Sequence, residues 1–257
     1  MSALGGPQSQ VADIARQARE LLCQVRESRW PGFEPPARQS AAAPATTAVR
    51  KPAATLREEP NPWSTLEQIA LVVSTCTKCP LHTTRTQTVP GEGAMKARLM
   101  FVGEAPGADE DRLGRPFVGA AGQLLDKMIV AMGLARDQVF IGNILKCRPP
   151  GNRDPLEQEV AACLPYLRAQ IALISPEVIC SLGRHASHAL LERTDSLSKF
   201  RGRFFEYRGT PLLPTFHPSY LLRTPSDKGA AWRDLQLIMH RLKPFQPEQH
   251  STEEYDR

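Results

Sequence analysis

The sequence predicts an α/β domain, a parallel sheet covered by helices on both faces. Three observations predict it. Four apolar runs have the length of buried strands, at 98–102, 138–144, 177–182 and 211–216. Between them lie segments whose apolar residues recur at three- and four-residue steps, the period of a helix. Gly and Pro punctuate the junctions.

The elements follow in order. Residues 9–27 carry Val11, Ile14, Ala15, Ala18, Leu21, Leu22 and Val25 at helical spacing, a short amphipathic helix that could dock on a protein partner or on its own domain. Residues 31–62 have no period and hold seven Pro and eight Ala, the composition of a disordered linker. The expected organisation is an N-terminal extension over 1–62, a folded domain over 63–244 and an acidic flexible tail over 245–257. Ser64 or Thr65 can cap a helix carrying Leu66, Ile69, Ala70 and Val73. That helix runs into Cys76-Thr77-Lys78-Cys79-Pro80-Leu81.

The first strand stops at Gly103-Glu104-Ala105-Pro106-Gly107, a tight turn with exposed backbone N–H groups. Asp109, Glu110 and Asp111 follow, then Gly114-Arg115-Pro116-Phe117-Val118-Gly119, then a helix over about 120–132. After the second strand comes a Pro/Gly-rich loop from Lys146 to Pro155. Pro155 suits the first turn of the next helix, which carries Val160, Cys163, Leu164, Leu167 and Ile171. The third strand ends at Gly183, with a helix over 184–192. Residues 204–207 suit a short hairpin arm against 211–213. The fourth strand ends at His217-Pro218-Ser219, and the last helix spans about 228–242. In such a layout ligands sit beyond the carboxyl ends of the strands. No G-x-G-x-x-G occurs, so the dinucleotide fingerprint is excluded.

The formal net charge of the 257 residues is +5. Residues 64–247 hold 23 Lys+Arg against 17 Asp+Glu, a balance that suits a nucleic-acid partner without demanding one. No apolar run approaches the roughly 20 residues of a membrane span, and the first ten residues have neither the basic start nor the apolar core of a signal peptide. The expected compartment is the cytoplasm, where six cysteines are thiols or metal ligands rather than disulfides. Cys76 and Cys79 form a C-x2-C pair; Cys147 and Cys163 lie further on. Four thiolates can close one site, and spacing alone fits zinc and an iron–sulfur cluster equally. Cys23 and Cys180 read as small apolar fillers.

Six motifs in order carry a family resemblance: Cys76-x2-Cys79-Pro80-Leu81-His82; Gly103 to Gly107; Gly114 to Gly119; Asn143-x3-Cys147-Arg148-Pro149-Pro150-Gly151-Asn152-Arg153-Asp154-Pro155; Cys163; and His217-Pro218-Ser219. Together they resemble the type 4, iron–sulfur, uracil-DNA glycosylases over roughly 64–243. The resemblance implies a three-layer α/β/α sandwich on a four-stranded, mainly parallel sheet. It implies a structural [4Fe-4S] cluster on Cys76, Cys79, Cys147 and Cys163. It implies hydrolysis of the N-glycosidic bond of uracil in single- or double-stranded DNA, by a protein expected to be monomeric.

The residues suit that chemistry. A base inside a duplex must be extruded into a pocket before its glycosidic bond can be reached. Phe117 can supply an aromatic face. Asn143 can both donate and accept, matching the O4/N3–H edge of uracil and mismatching cytosine. His217 can donate to O2 as negative charge builds on the departing base. Gly103, Glu104 and Ala105 fall at the uracil pocket by resemblance. Ala105 stands where better-known relatives carry the water-activating Asp, so Glu104 is the nearest carboxylate. Its role as base, water-positioning group or stabiliser of a cationic sugar stays open. Lys146, Arg148, Arg153, Arg184 and Arg223 lie at strand ends where phosphates can bind. Leu222, in Tyr220-Leu221-Leu222-Arg223, offers an apolar wedge for the gap left by a flipped base. His82, His185, His188, His240 and His250 read as structural.

Two other functions fit the composition. One is a protein that traps uracil-DNA without turnover; relatives of that kind carry a His-bearing insertion after the Asn strand, whereas the segment from Cys147 to Leu156 is short and has no His. The other is a metal-stabilised nucleic-acid binder without chemistry, against which stand Glu104, Phe117, Asn143 and His217 at element ends. No Lys is identified as a Schiff-base nucleophile, so no lyase step is expected.

Overall fold

The computed structural model describes residues 61–242. The helix expected over 9–27, the linker and the acidic tail lie outside the described residues.

Thr65 caps the first helix, α1 (Leu66–Ser74): its Oγ1 accepts from the Gln68 N–H at 3.2 Å. Ile69 and Val73 of α1 are fully buried, worth roughly 1.5–3 kcal/mol each. The strands are β1 (Glu92–Gly93), β2 (Leu99–Gly103), β3 (Phe140–Asn143), β4 (Val178–Leu182), β5 (Phe205–Tyr207) and β6 (Thr210–Thr215). They form one sheet in the order β1-β3-β2-β4-β6-β5. The four strands expected from the sequence are its parallel centre, with Gly103 beside Asn143 and Leu182 beside Thr215.

The sheet therefore has six strands, not four. β1 pairs antiparallel with β3 at one edge and β5 pairs antiparallel with β6 at the other. The β5–β6 hairpin was legible as an arm of the last strand. β1 is two residues long and carries no apolar alternation, so nothing in its sequence marks it as a strand.

Side chains alternate between the two faces, as the period of a strand requires. Met100, Val102, Phe140, Ile179 and Leu212 face α1, α4 (Glu157–Ile174) and α5 (Gly183–Leu191). Leu99, Phe101, Ile141, Cys180 and Leu213 face α3 (Ala120–Ala131) and α7 (Lys228–Leu242). Two shorter helices, α2 (Ala108–Leu113) and α6 (Pro218–Arg223), stand at the carboxyl ends of β2 and β6. Leu156 is the N-cap of α4, so Pro155 precedes that helix instead of opening it. No helix among the described residues is long and apolar enough to cross a membrane.

Candidate active site

The carboxyl ends of β2, β3, β4 and β6 converge on a cleft of about 970 Å³ lined by Glu104, Phe117, Asn143, Arg184, His217 and Arg223, among others. β3 and β4 flank β2 on opposite sides, so the chain reverses direction at the crevice where an α/β sheet binds ligands.

Three side chains are held by backbone geometry. Asn143 ends β3, is 1% exposed, and its Oδ1 has no hydrogen-bond partner. Buried carbonyl oxygens are almost always paired, so this one marks a place for a donor. Phe117 is buried with φ 52°, a left-handed backbone that costs a non-glycine residue about 1–3 kcal/mol. Glu110 offsets that strain: its Oε1 accepts from the N–H groups of Val118 (2.9 Å) and Gly119 (3.0 Å), and its Oε2 from that of Gly107 (3.1 Å). One carboxylate thus ties the Gly103–Gly107 turn to the loop that carries Phe117.

His217 precedes α6, and its ring lies 5.5 Å from that of Phe117, centroid to centroid. Its Nδ1 accepts from the Ser219 N–H at 3.2 Å and lies 2.7 Å from Ser219 Oγ. The neutral ring therefore carries its proton on Nε2, free to donate. Burial, with help from the Arg223 charge, pushes His217 down to about 4, so the ring is neutral at physiological pH. Gly183, at φ +85°, is packed against it, and a Cβ there would stand 2.9 Å from His217 Cβ.

Glu104 follows β2, and its carboxyl is pushed up to about 7, first by burial and then by the charge of Asp154, with Arg184 opposing. His185 Nε2 lies 3.9 Å from Glu104 Oε2 and 3.3 Å from Asp154 Oδ2. His185, read from sequence as structural, belongs to this group. Its only signal was its position three residues after β4. Ala105 lines the same cleft beside Glu104.

The basic residues divide. Arg148 donates to Asn152 Oδ1 at 2.7 Å. Arg153 is committed to Glu159 by two bonds of 2.9 and 2.6 Å. Arg184 is exposed and 3.3 Å from Asp154, and Arg223 lines the cleft. In α6, Leu221 is buried and Leu222 is 44% exposed. Lys146 does not reach solvent, contrary to its expected place among phosphate binders. It is 1% exposed, because three residues after β3 it turns back on the strand end, where its Nζ donates to the Asn143 carbonyl and to Gln170 Oε1.

On the first face of the sheet, Cys76, Cys79, Cys147 and Cys163 line one small recess with Arg85, Lys146 and Tyr166. Each of three sulfurs receives a hydrogen bond: Cys147 from Arg85 Nη1 (3.2 Å), Cys163 from the Lys146 N–H (3.2 Å) and Cys76 from the Tyr166 hydroxyl (3.3 Å). Burial pushes the Cys163 thiol up to about 12 and raises those of Cys147 and Cys79. Such donors suit sulfurs that carry charge, as thiolates on a metal do.

An aromatic wall, an orphaned amide oxygen and a neutral imidazole thus meet in one cleft at the ends of the parallel strands of an α/β protein. Residues 90–236 match the family model described as the uracil DNA glycosylase superfamily. A type-4 uracil-DNA glycosylase of Sulfurisphaera tokodaii is 50% identical over 182 residues, which cover 67% of this chain and 83% of that protein. That of Pyrobaculum aerophilum is 46% identical over 67% of this chain and 92% of its own length. A type-5 uracil-DNA glycosylase of the same organism is 34% identical over 52% of this chain and 66% of its own length. The chain belongs to the type-4 uracil-DNA glycosylase family.

Proposed function

We propose that this chain is a monofunctional uracil-DNA glycosylase, which flips uracil out of DNA and hydrolyses its N-glycosidic bond to leave an abasic site. The observation that carries the reading is the unpartnered, buried Oδ1 of Asn143 in the cleft beside Phe117. Uracil N3–H supplies the missing donor, and the amide NH2 then meets O4. Cytosine brings an acceptor and an amino group to the same atoms and leaves both pairs mismatched, which is expensive in a buried site. Phe117 gives the ring a stacking surface.

As the glycosidic bond lengthens, negative charge gathers on the base and positive charge on the sugar. His217 Nε2–H donates to O2 as a neutral imidazole and stabilises the departing base. Anionic Glu104 faces the sugar side, where it can take a water proton, orient the water or stabilise the cation; each role uses the anion. An oxocarbenium-like path needs only weak nucleophilic help, so the Ala105 position does not forbid hydrolysis. Arg148, Arg184 and Arg223 hold phosphates, and Leu222 fills the vacated stack.

Cys76, Cys79, Cys147 and Cys163 would hold a [4Fe-4S] cluster, whose iron–thiolate bonds would cross-link the segment after α1, the loop after β3 and α4. Four cysteine sulfurs on one recess are the ligand set of such a cluster, and the donors to three of them suit metal-bound thiolates.

The test is incubation with a uracil-containing oligonucleotide, then alkali. Breakage at the uracil only after alkali is the expected result. No breakage, or breakage without alkali, would overturn the assignment.

A further inference from the structure

Lys146 is used by no step above, and its surroundings are unusual. Its ammonium is fully buried, and among the described residues it has no carboxylate partner. Nζ donates to the Asn143 carbonyl at 2.9 Å and to Gln170 Oε1 at 2.7 Å. Gln170 sits on α4 and is itself anchored, its Nε2 donating to the Pro90 carbonyl at 2.7 Å. The Lys146 main chain is equally engaged: its N–H donates to Cys163 Sγ at 3.2 Å, and its carbonyl accepts from the Val89 N–H at 2.8 Å.

We propose that Lys146 is a positioning residue for base discrimination, a strut that joins the cysteine site to the uracil-reading Asn143. This rests on the glycosylase reading above. Asn143 is the last residue of β3, with Ile144 N–H bonded to the Gly103 carbonyl beyond it. A strand end has lost part of its ladder, so its carbonyl needs another donor to fix the peptide plane from which the reading side chain projects. A charged donor makes the stronger bond. A bare buried charge is costly, so an apolar side chain would be the ordinary occupant of this place. Here the amine is held instead by two converging acceptors, the Asn143 carbonyl and Gln170 Oε1. Nζ and the backbone N–H of one residue then touch the two sites, and a shift of Cys163 is carried to Asn143 through a single side chain.

The test uses the full chain, its Lys146→Met variant, and Gln170→Met, which removes one acceptor of Nζ together with the bond to the Pro90 carbonyl. Three quantities are read: iron per chain, single-turnover excision of uracil relative to cytosine, and the change in the visible circular dichroism of the iron chromophore on binding an oligonucleotide with 2′-fluorodeoxyuridine, which resists cleavage. Expected for Lys146→Met are a uracil rate down by about tenfold or more, a lower uracil/cytosine ratio, and loss of the spectral response. Gln170→Met should shift all three in the same direction by less, and it decides the question if Lys146→Met fails to fold. A metal-loaded variant with wild-type discrimination and spectral response would overturn the strut. If the unmodified chain excises no uracil, the glycosylase reading fails first.

Discussion

Gly103 leaves room for Asn143. The two residues pair across β2 and β3, and a Cβ built on Gly103 would collide with Asn143 Oδ1 and stand 2.6 Å from Phe117 Cζ. The bare Cα therefore shapes both the amide edge and the aromatic wall of the slot. Gly103→Ala should displace both, and misplacement of about 1 Å costs on the order of 10²-fold in rate. Single-turnover excision, with circular dichroism to confirm folding, reads it. A folded variant at the wild-type rate would show that the slot lies elsewhere.

Asn143→Asp exchanges the amide donor for a carboxylate that repels O4 and can accept from the amino group of cytosine. Uracil excision should fall by on the order of 10² or more, with some cytosine excision gained. Matched oligonucleotides bearing uracil or cytosine give the ratio. An unchanged uracil rate would return Asn143 to a turn-forming role.

The pH profile separates the two titrating groups. Glu104 is neutral below about 7 and anionic above it, so the rate should rise with pH through that region. The groups facing it are Asp154, Arg184 and His185. Asp154→Asn removes a like charge, so the rise should move to lower pH. His217 stays neutral down to about 4 and adds no inflection near neutrality. A profile flat between pH 6 and 8 (roughly the window around that value) would remove Glu104 anion from the mechanism.

The purified chain should be brown, absorb broadly near ~400 nm and contain iron. Cys163→Ser should lose colour and thermal stability together. A colourless, fully active protein carrying one zinc would sink the cluster.

A fragment beginning near Asn61 should keep glycosylase activity, since the residues of the cleft and of the cysteine recess all lie within 61–242. Loss of activity on that truncation would assign the N-terminal extension to the enzyme itself.

Much of this was legible in the sequence because it is local. A cap at Ser64 or Thr65, which the structure assigns to Thr65, β2 running into its Gly-rich turn, the last helix over 228–242 and the strand-end positions of Asn143 and His217 follow from periodicity and turn residues. What escaped depends on three dimensions. β1 is too short to have a pattern. Arg153 looked free until Glu159, six residues on, folded back to take it. Lys146 looked like a phosphate ligand because most lysines after strands are exposed; its burial follows from packing under α4. His185 reaches Glu104 only because β4 and β2 are neighbours.

The division of the core has an evolutionary consequence. The cysteines pack in the layer with α1 and α4, and Phe117 in the layer with α3 and α7. Mutations that retune the lesion spectrum can accumulate on one side of the sheet while the side that carries the four cysteines is left unchanged. Directed evolution toward other deaminated bases therefore has its natural library in the loops that frame Phe117, with Lys146 left untouched.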